Sequence, residues 1–290
     1  MSGPPLTPRR VAVLGAGTMG RGIAQAAAQA GCEVILRDVS DELLDRARAA
    51  IRATLDGGVS RQKLTEEARD AALDAIETTT EVSRAVRDAE IVIEAVPEDL
   101  ALKRAVVAEI EASAPTTAIV ASNTSSLSIE ALAAGARRAE RIVGMHFFNP
   151  VHVMKLVEIV ASSRTSAHAV AVARALAEAM GKTAIVVRDT PGFATSRLGV
   201  ILGLEAIRML EQGVATAADI DRAMEMGYNH PMGPLRLTDL VGLDVRLAIA
   251  DYLHTTLGGD QYRAPEMLRR LVGEGKLGKK SGEGFFRWDR

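Results

Sequence analysis

A histidine and a glutamate lie in two neighbouring apolar segments, and together they have the residue types for proton transfer. His146 ends one segment, and Glu158 lies inside the next, where an acidic side chain needs a partner. Imidazole titrates near neutral pH and can take the proton of a substrate hydroxyl. A carboxylate on its second ring nitrogen would fix the tautomer and stabilise the imidazolium. The Asn149-Pro150 turn can bring the segments side by side, so we predict a general base in His146, paired with Glu158.

A glycine-rich segment between a predicted strand and a predicted helix has the spacing of a dinucleotide-binding loop. It reads Gly15-Ala16-Gly17-Thr18-Met19-Gly20 and follows an apolar run that ends at Leu14. Glycines at these positions allow a tight turn, let the backbone approach a pyrophosphate, and let helix and strand pack closely. The helix N-terminus adds free amides and a partial positive charge. We therefore predict that Gly15, Gly17, Thr18, Met19 and Gly20 bind the cofactor.

The choice between NAD and NADP depends on the residues that end the second predicted strand. Asp38 lies there, 18 residues after Gly20 (38 − 20). A carboxylate at this spacing accepts hydrogen bonds from the ribose hydroxyls and repels a 2′-phosphate, which favours NAD. The neighbouring Arg37 could hold a 2′-phosphate, or it could stack on the adenine. We predict NAD as the cofactor, and Arg37 leaves the strictness of that preference open.

The candidate residues follow apolar runs that alternate with helical patterns, as in a parallel sheet with crossover helices. Between residues 43 and 76, two amphipathic patterns flank Gly57-Gly58 and predict an inserted helical arm. From Pro191 onward helical periodicity dominates. We predict an α/β fold, with a Rossmann-type, mostly parallel sheet domain over residues 1–190 and an all-α domain over residues 191–290. The predicted strands are Val11–Leu14, Glu33–Leu36, Ile91–Ile93, Ala118–Ala121, Arg141–His146, Lys155–Val160 and Ile185–Val187.

The composition is that of a globular protein without a dominant charge. The 290 residues include 35 basic and 37 acidic side chains, so the formal net charge of −2 favours neither nucleic acid nor an anionic membrane. No apolar run approaches the roughly 18 residues that a membrane span needs. The single cysteine, Cys32, excludes an intrachain disulfide and allows a reducing compartment. We expect a cytoplasmic protein with no metal site.

Several motifs, taken together and in this order, resemble the 3-hydroxyacyl-CoA dehydrogenase family. The match runs from about Arg10 to Trp288, and within the family the bacterial 3-hydroxybutyryl-CoA dehydrogenases look nearest. The motifs that carry the resemblance are Gly15–Gly20, Glu94–Glu98, Ser122–Ser126, His146–Pro150, Glu158, Asp189–Phe193 and Pro231–Pro234.

The resemblance implies an activity in fatty acid metabolism. It implies that NAD exchanges a hydride with carbon 3 of an (S)-3-hydroxyacyl-CoA, which is thereby interconverted with a 3-oxoacyl-CoA. In this resemblance His146 matches the catalytic base, Glu158 matches its carboxylate partner, and Ser125 matches the serine that binds the 3-oxygen of the substrate. Short acyl chains such as 3-hydroxybutyryl are implied by the family alone.

The resemblance also implies binding residues for the two nucleotide-containing ligands. Asn123 and Glu94 match residues that line the nicotinamide side, and Lys103 matches a lysine near the cofactor. The arm that contains Arg61 and Lys63 is similar to the segment over which coenzyme A lies. Both cations suit phosphate on chemical grounds, and a solvated helix face explains them nearly as well.

One position departs from the family pattern. Ser196 takes a place in the implied catalytic set where the family commonly has an asparagine that points an amide toward the substrate. The shorter serine would reach the substrate through water. The resemblance also implies a homodimer formed through the C-terminal helical domain. The apolar faces of Leu202–Leu210 and Leu235–Leu253 are compatible with that interface, and packing within the domain would explain them as well.

Two other functions fit part of the same pattern. A dehydrogenase of a free hydroxy acid or sugar acid would keep the glycine loop, His146 and Glu158, without a need for the cations of the arm. A noncatalytic NAD-binding structural protein would keep the glycine loop alone. The joint presence of Ser125, His146 and Glu158 speaks against the second alternative, because such a protein needs none of the three.

Overall fold

The computed structural model describes residues 7–288, which divide into two compact units with the boundary between Thr190 and Pro191. The first unit alternates strands and helices, and the second contains helices. The elements of the first unit are β1 (Arg10–Leu14), α1 (Thr18–Gln29), β2 (Glu33–Arg37), α2 (Asp41–Ser60), α3 (Glu66–Asp74), β3 (Ile76–Thr79), α4 (Val82–Val86), β4 (Ile91–Glu94), α5 (Leu100–Ser113), β5 (Ile119–Ser122), α6 (Ile129–Ala133), β6 (Ile142–Phe147), β7 (Leu156–Ala161), α7 (Ala167–Ala179) and β8 (Thr183–Arg188).

The strands of the first unit form one eight-stranded sheet in the order β3-β2-β1-β4-β5-β6-β7-β8. All neighbouring strands are parallel except β6 and β7, which are antiparallel. The Rossmann-type, mostly parallel sheet predicted from the sequence is therefore confirmed. Of the central strands, β4 and β5 are apolar apart from their last residues and β1 is apolar after its first residue, Arg10; apart from Arg10 they are buried on both faces, as crossover helices require. Their carboxyl ends share one edge, which is where ligands bind in such sheets.

The inserted helical segment differs in its bounds from the prediction. We expected the break between the two helices at Gly57-Gly58, but α2 continues through both glycines to Ser60. Glycine costs only about 1 kcal/mol in a helix, and the buried Ile51 and Leu55 anchor α2 to the core just before the pair. The second helix stops at Asp74, because Ile76 pairs with Val34 as the first residue of β3.

The second unit is a helical domain around its own apolar core. Its elements are α8 (Thr195–Glu211), α9 (Ala217–Gly227), α10 (Pro234–Val241), α11 (Leu243–Leu257) and α12 (Glu266–Gly273). The core includes Val200, Leu204 and Ile207 of α8 together with Leu235 and Leu253. The prediction that the second domain is all-α is thus confirmed. Within residues 7–288 no helix is long and apolar enough to cross a membrane.

A buried carboxylate ties the C-terminal segment to this helical domain. Asp239 in α10 is fully buried and accepts hydrogen bonds from the amides of Phe285 and Phe286 at 2.8 and 2.9 Å. It also accepts one from the indole Nε1 of Trp288 at 2.8 Å. Hydrogen bonds to a charged group are stronger than neutral ones, and their loss leaves buried donors without partners. Asp239 therefore fixes Phe285, Phe286 and Trp288 against the helical domain.

We expect Asp239→Ala to lower the free energy of unfolding by about 3 kcal/mol, since three donors lose their acceptor. Urea denaturation followed by circular dichroism measures this. Asp219→Ala is the matched control, because the Asp219 side chain is half-exposed and pairs with Arg222 on the surface. That change should cost less than about 1 kcal/mol. Similar losses in the two variants would show that the Asp239 contacts contribute no special stability.

Candidate active site

The glycine loop between β1 and α1 requires glycine at two of its positions, once for its backbone conformation and once for space. Gly15 has a φ of +101°, and a Cβ added at Gly20 would lie 1.7 Å from the carbonyl oxygen of Gly15. A Cβ added at Gly17 would meet no atom within 4 Å. Gly15 therefore serves the close turn and Gly20 the strand–helix contact, and Gly17 leaves the approach to the loop open.

The first turn of α1 is available to a phosphate. The helix begins at Thr18, and its N-cap Gly17 offers no side chain to the first amides. Those amides, with the positive end of the helix dipole, suit a pyrophosphate. Thr18 is exposed next to them, and Met19 packs partly against the core of the unit. The loop thus fits the pyrophosphate of a dinucleotide, whose nicotinamide would supply the hydride chemistry.

Asp38 lies against this loop, directly after β2. Its Oδ2 accepts a hydrogen bond from the Ala16 amide at 2.5 Å, and its Oδ1 accepts one from the Val39 amide at 2.6 Å. The Arg37 side chain is directed elsewhere, because its Nε donates to the Thr80 carbonyl at 3.0 Å. The carboxylate of Asp38 is therefore the charged group fixed beside the loop, in a position suited to ribose hydroxyls.

The antiparallel pairing of β6 and β7 places His146 directly opposite Glu158. The Nδ1 of His146 lies 2.7 Å from Oε2 of Glu158, within hydrogen-bond distance. Glu158 is fully buried and His146 is 5% exposed. The ring of Phe148 packs against the imidazole with centroids 4.5 Å apart. An imidazole held by a buried carboxylate in this way can take and return a proton at its other nitrogen.

A second buried pair of charges lies at the ends of β4 and β5. The ammonium of Lys103 in α5 lies 2.8 and 3.0 Å from the two carboxylate oxygens of Glu94, and both side chains are fully buried. The Ser122 hydroxyl donates a short hydrogen bond to the same carboxylate. Lys103 also donates to the Val96 carbonyl at 3.2 Å. Glu94 and Lys103, which the resemblance assigns to the cofactor side, thus hold each other in place through a buried ion pair.

Glu98 holds the loop that follows β5, a role the sequence reasoning missed. One of its carboxylate oxygens accepts hydrogen bonds from the Thr124 hydroxyl at 2.6 Å and from the amides of Ser125 and Ser126 at 3.0 and 3.1 Å. Burial opposes the charge of Glu98, but these donors and the nearby Lys103 ammonium outweigh it and lower its pKa. Glu98 ends the Glu94–Glu98 motif of the sequence analysis, but the motif does not indicate which residues its carboxylate contacts.

Asn123 connects the ends of three neighbouring strands. The backbone N–H of Asn123 donates to the Glu94 carbonyl at 2.9 Å, and its side-chain Oδ1 accepts from the backbone N–H of Phe147 at 3.0 Å. This orientation leaves the amino end of the carboxamide as a donor toward a ligand. Ser125 is exposed in the same loop. The sheet edge therefore brings together Glu94, Asn123 and Ser125 with the strand that carries His146.

The other candidates lie outside this strand-end cluster. Arg61 and Lys63 are exposed in the turn between α2 and α3, and neither has a carboxylate within ion-pair distance among the described residues. Ser196 belongs to the helical domain, where it is the second residue of α8 and half-buried. Across residues 7–288, no group of three His, Cys, Asp or Glu side chains is arranged to hold a metal ion.

Comparisons with known proteins match both units. The pattern of the 3-hydroxyacyl-CoA dehydrogenase NAD-binding domain matches residues 10–190, and that of the C-terminal domain of the same family matches residues 192–288. A Mycobacterium tuberculosis protein named 3-hydroxybutyryl-CoA dehydrogenase is 43% identical over 280 residues, which cover 96% of this chain and 98% of the relative.

Two further comparisons extend the range of relatives. The crystal structure of (S)-3-hydroxybutyryl-CoA dehydrogenase from Ralstonia eutropha superposes with a TM-score of 0.94 at 40% identity, and covers 98% of this chain and 100% of that one. A protein of Escherichia coli named 3-hydroxyadipyl-CoA dehydrogenase is 42% identical over 279 residues, 96% of this chain and 58% of the relative. With both domain patterns matched along nearly the whole chain, this protein belongs to the 3-hydroxyacyl-CoA dehydrogenase family.

Proposed function

We propose that the protein interconverts short (S)-3-hydroxyacyl-CoA thioesters and 3-oxoacyl-CoA thioesters with NAD as the hydride carrier. The observation that carries the proposal is the buried pair of His146 and Glu158, whose side chains lie 2.7 Å apart at the ligand-binding edge of the sheet. Such a pair suits the removal of a proton from a secondary alcohol. The NAD held by the NAD-binding domain would accept the hydride from the carbon that carries this hydroxyl.

In the proposed mechanism each side chain has one task. His146 takes the proton of the 3-hydroxyl, and Glu158 stabilises the imidazolium that forms. The Ser125 hydroxyl donates to the same substrate oxygen, and the loop that carries it is fixed by Glu98. The amino end of the Asn123 carboxamide orients the ligand at the strand ends. The protein thereby contributes positioning and charge placement, which reduce the entropy cost of reaching the transition state.

The coenzyme A part of the substrate needs cations, and the turn between α2 and α3 offers two. Arg61 and Lys63 are both exposed there, so their charges are available to phosphate. Lysine and arginine bind phosphate through charge-assisted hydrogen bonds. A free hydroxy acid would have no use for this pair. We propose that Arg61 and Lys63 bind phosphates of coenzyme A.

Short acyl chains are the proposed substrates. The Mycobacterium tuberculosis relative, which matches over nearly both full lengths, has a name that specifies the hydroxybutyryl group, whereas the Escherichia coli relative is named for hydroxyadipyl. The acyl end therefore varies among proteins that share the same chemistry. Ser196 is the small residue that we propose to lie beside the acyl group, in place of the asparagine common in the family.

The helical domain also presents an apolar surface that suits self-association. Leu198 and Leu202 of α8, Leu237 and Val241 of α10, and Val245 of α11 are exposed on three helices that pack against one another. Exposed apolar patches of this kind mark interfaces in many soluble proteins. We propose a homodimer formed through this surface. A cytoplasmic location stays a prediction.

The first test of the proposed function is the oxidation of NADH and NADPH by the purified protein with acetoacetyl-CoA or with free acetoacetate. We expect fast turnover with NADH and the thioester, and at least ~10-fold lower kcat/KM with NADPH because Asp38 repels a 2′-phosphate. Absorbance at the reduced-nicotinamide band measures both. Turnover of free acetoacetate without turnover of the thioester would favour the free-acid alternative. Tight NADH binding with no turnover of acetoacetyl-CoA or acetoacetate would favour the noncatalytic alternative.

The roles of the catalytic pair are tested by His146→Gln, Glu158→Gln and the double variant. A general base contributes about 10²–10⁴-fold to the rate, so each single variant should lose that much in kcat. The double variant should lose little more, because the two side chains act as a unit. His152→Gln changes an exposed histidine and should keep full activity. NADH affinity, from fluorescence titration, should be the same in all variants. Full activity of His146→Gln would remove this residue from the mechanism.

The proposed dimer is tested by light scattering after size exclusion. Leu202→Glu puts a charge into the proposed interface and should convert the dimer to a monomer, because an unpaired buried charge costs several kcal/mol. Met226→Glu is the control, since Met226 is 79% exposed on α9, outside the named surface. A monomeric wild-type protein, or a dimer that survives Leu202→Glu, would contradict the proposed interface.

A further inference from the structure

A buried lysine of the sheet domain holds the connection between β6 and β7. Lys182 lies between α7 and β8 and is 9% exposed. Its ammonium donates to the Val151 carbonyl at 2.6 Å and to the Met154 carbonyl at 2.9 Å. No carboxylate of residues 7–288 pairs with it, and burial alone lowers its pKa. Both carbonyls belong to the segment from 148 to 155, which we call the β6–β7 loop.

Val151 joins this loop to the helix that follows the glycine loop. It is 2% exposed and packs directly on Gly22 of α1, where an added Cβ would lie 3.0 Å from both Cβ and Cγ2 of Val151. The first amides of α1, one turn earlier, suit the pyrophosphate of the dinucleotide. The residue that accepts the shorter hydrogen bond from Lys182 therefore also contacts the helix proposed to bind the cofactor.

The start of the β6–β7 loop is fixed at the strand ends of the candidate active site. His146 lies two residues before the loop (148 − 146). The backbone N–H of Phe147 donates to Oδ1 of Asn123, which we propose to orient the ligand there. The loop therefore extends from the neighbourhood of the proposed base to the cofactor helix. The position of Val151 then determines how the base lies relative to that helix.

Hydrogen bonds inside the loop keep it rigid between these two contacts. The backbone N–H groups of Val153 and Met154 both donate to the Pro150 carbonyl at 3.0 Å. The side chain of His152 is exposed and takes no part in these contacts. Without the lysine ammonium, the carbonyls of Val151 and Met154 would lose their donor. The loop would then shift toward water to satisfy them, because an unpaired buried carbonyl is costly.

We propose that Lys182 is a positioning residue for hydride transfer, which holds Val151 against α1 and thereby sets the place of the nicotinamide relative to His146. This proposal rests on the proposed function and adds a residue to it. Lys182 acts through the loop and needs no contact with the substrate. Hydride transfer depends steeply on the alignment of the reacting atoms, and a displacement of about 1 Å can cost about 100-fold in rate. A role limited to stability would leave hydride transfer unchanged in the folded protein.

Single turnover of 3-hydroxybutyryl-CoA with bound NAD, followed by stopped flow, measures hydride transfer from the absorbance of NADH. We expect Lys182→Met to transfer the hydride about 10–100-fold more slowly, with little change in the KM of the thioester. A slower rate with deuterium at carbon 3 confirms that the observed step is hydride transfer. Lys182→Arg should recover part of the rate, because a guanidinium can donate to both carbonyls.

Glu111→Met is the matched control for lost stability. Glu111 in α5 is 8% exposed, and its carboxylate accepts hydrogen bonds from the backbone N–H groups of Arg137 and Arg138, both at 2.8 Å. Like Lys182, it is a buried charged side chain of the sheet domain that joins two segments through two backbone groups. Glu111→Met should therefore be destabilised, yet keep the wild-type rate of hydride transfer at a temperature where all variants are folded.

Gly22→Ala tests the same contact with Lys182 intact. The added methyl group would lie 3.0 Å from Val151, so the loop has to move by a few tenths of an ångström. Alanine favours a helix more than glycine does, which offsets the effect of this strain on stability. We expect slower hydride transfer in this variant. Gly227→Ala, at the end of α9, adds a methyl group with no heavy atom of the described structure within 4 Å beyond its own helix, and should keep the wild-type rate.

The emission spectrum of bound NADH reports the surroundings of the nicotinamide without any turnover. We expect it to differ from the wild type in Lys182→Met and Gly22→Ala and to be unchanged in Glu111→Met. A wild-type rate and spectrum in both loop variants would overturn this proposal and leave the proposed function intact. Equal losses of rate in Lys182→Met and Glu111→Met, with Gly22→Ala unaffected, would assign the effect to stability and also overturn it. A wild type without turnover of any 3-hydroxyacyl thioester would overturn the proposed function, and the NADH spectra would still decide whether Lys182 positions the nicotinamide.

Discussion

The antiparallel pairing of β6 with β7 is the contact on which the candidate active site depends. In a sheet that is otherwise parallel, this one reversal puts Glu158 directly across from His146, with its carboxylate 2.7 Å from the ring. Cross-strand neighbours in an antiparallel pair are held at a fixed separation by the ladder of backbone hydrogen bonds. The orientation of the imidazole is therefore set by the sheet and needs no mobile loop. A shift of β7 by one residue against β6 would turn Glu158 to the face of the sheet opposite His146.

The rest of the sheet edge is built on the same principle, with a charged side chain at the end of β4 and an amide side chain directly after β5. Glu94 ends β4 and is locked by Lys103, and Asn123 follows β5 and receives the Phe147 amide of β6. Glu98 then gathers the amides of the following loop. Each of these groups is fixed by a partner on a different element. Such cross-links keep a site rigid, which is what the transfer of a hydroxyl proton together with a hydride from the adjoining carbon requires.

Local patterns were enough to predict the fold class, since the strands are short apolar runs and the loop from Gly15 to Gly20 has a backbone that its glycines dictate. The ends of α2 and the strand β3 were harder, because Ile76 suits a buried helix and a buried strand equally, and only its pairing with Val34 decides. The role of Glu98 could not be predicted from sequence. Its importance lies in partners 26 to 28 residues away, and only the folded chain brings them together.

The buried carboxylates of both domains have partners within the described chain. In the sheet domain, Glu94 pairs with Lys103 and Glu158 with His146, so these groups are positioned before any ligand arrives. In the helical domain, Asp239 accepts hydrogen bonds from the amides of Phe285 and Phe286 and from the indole of Trp288. Groups that are already fixed by partners do not have to reorganise when charge develops beside them, and this is the condition under which placed charges stabilise a transition state best. The same kind of pairing therefore serves stability in the helical domain and preorganisation at the edge of the sheet.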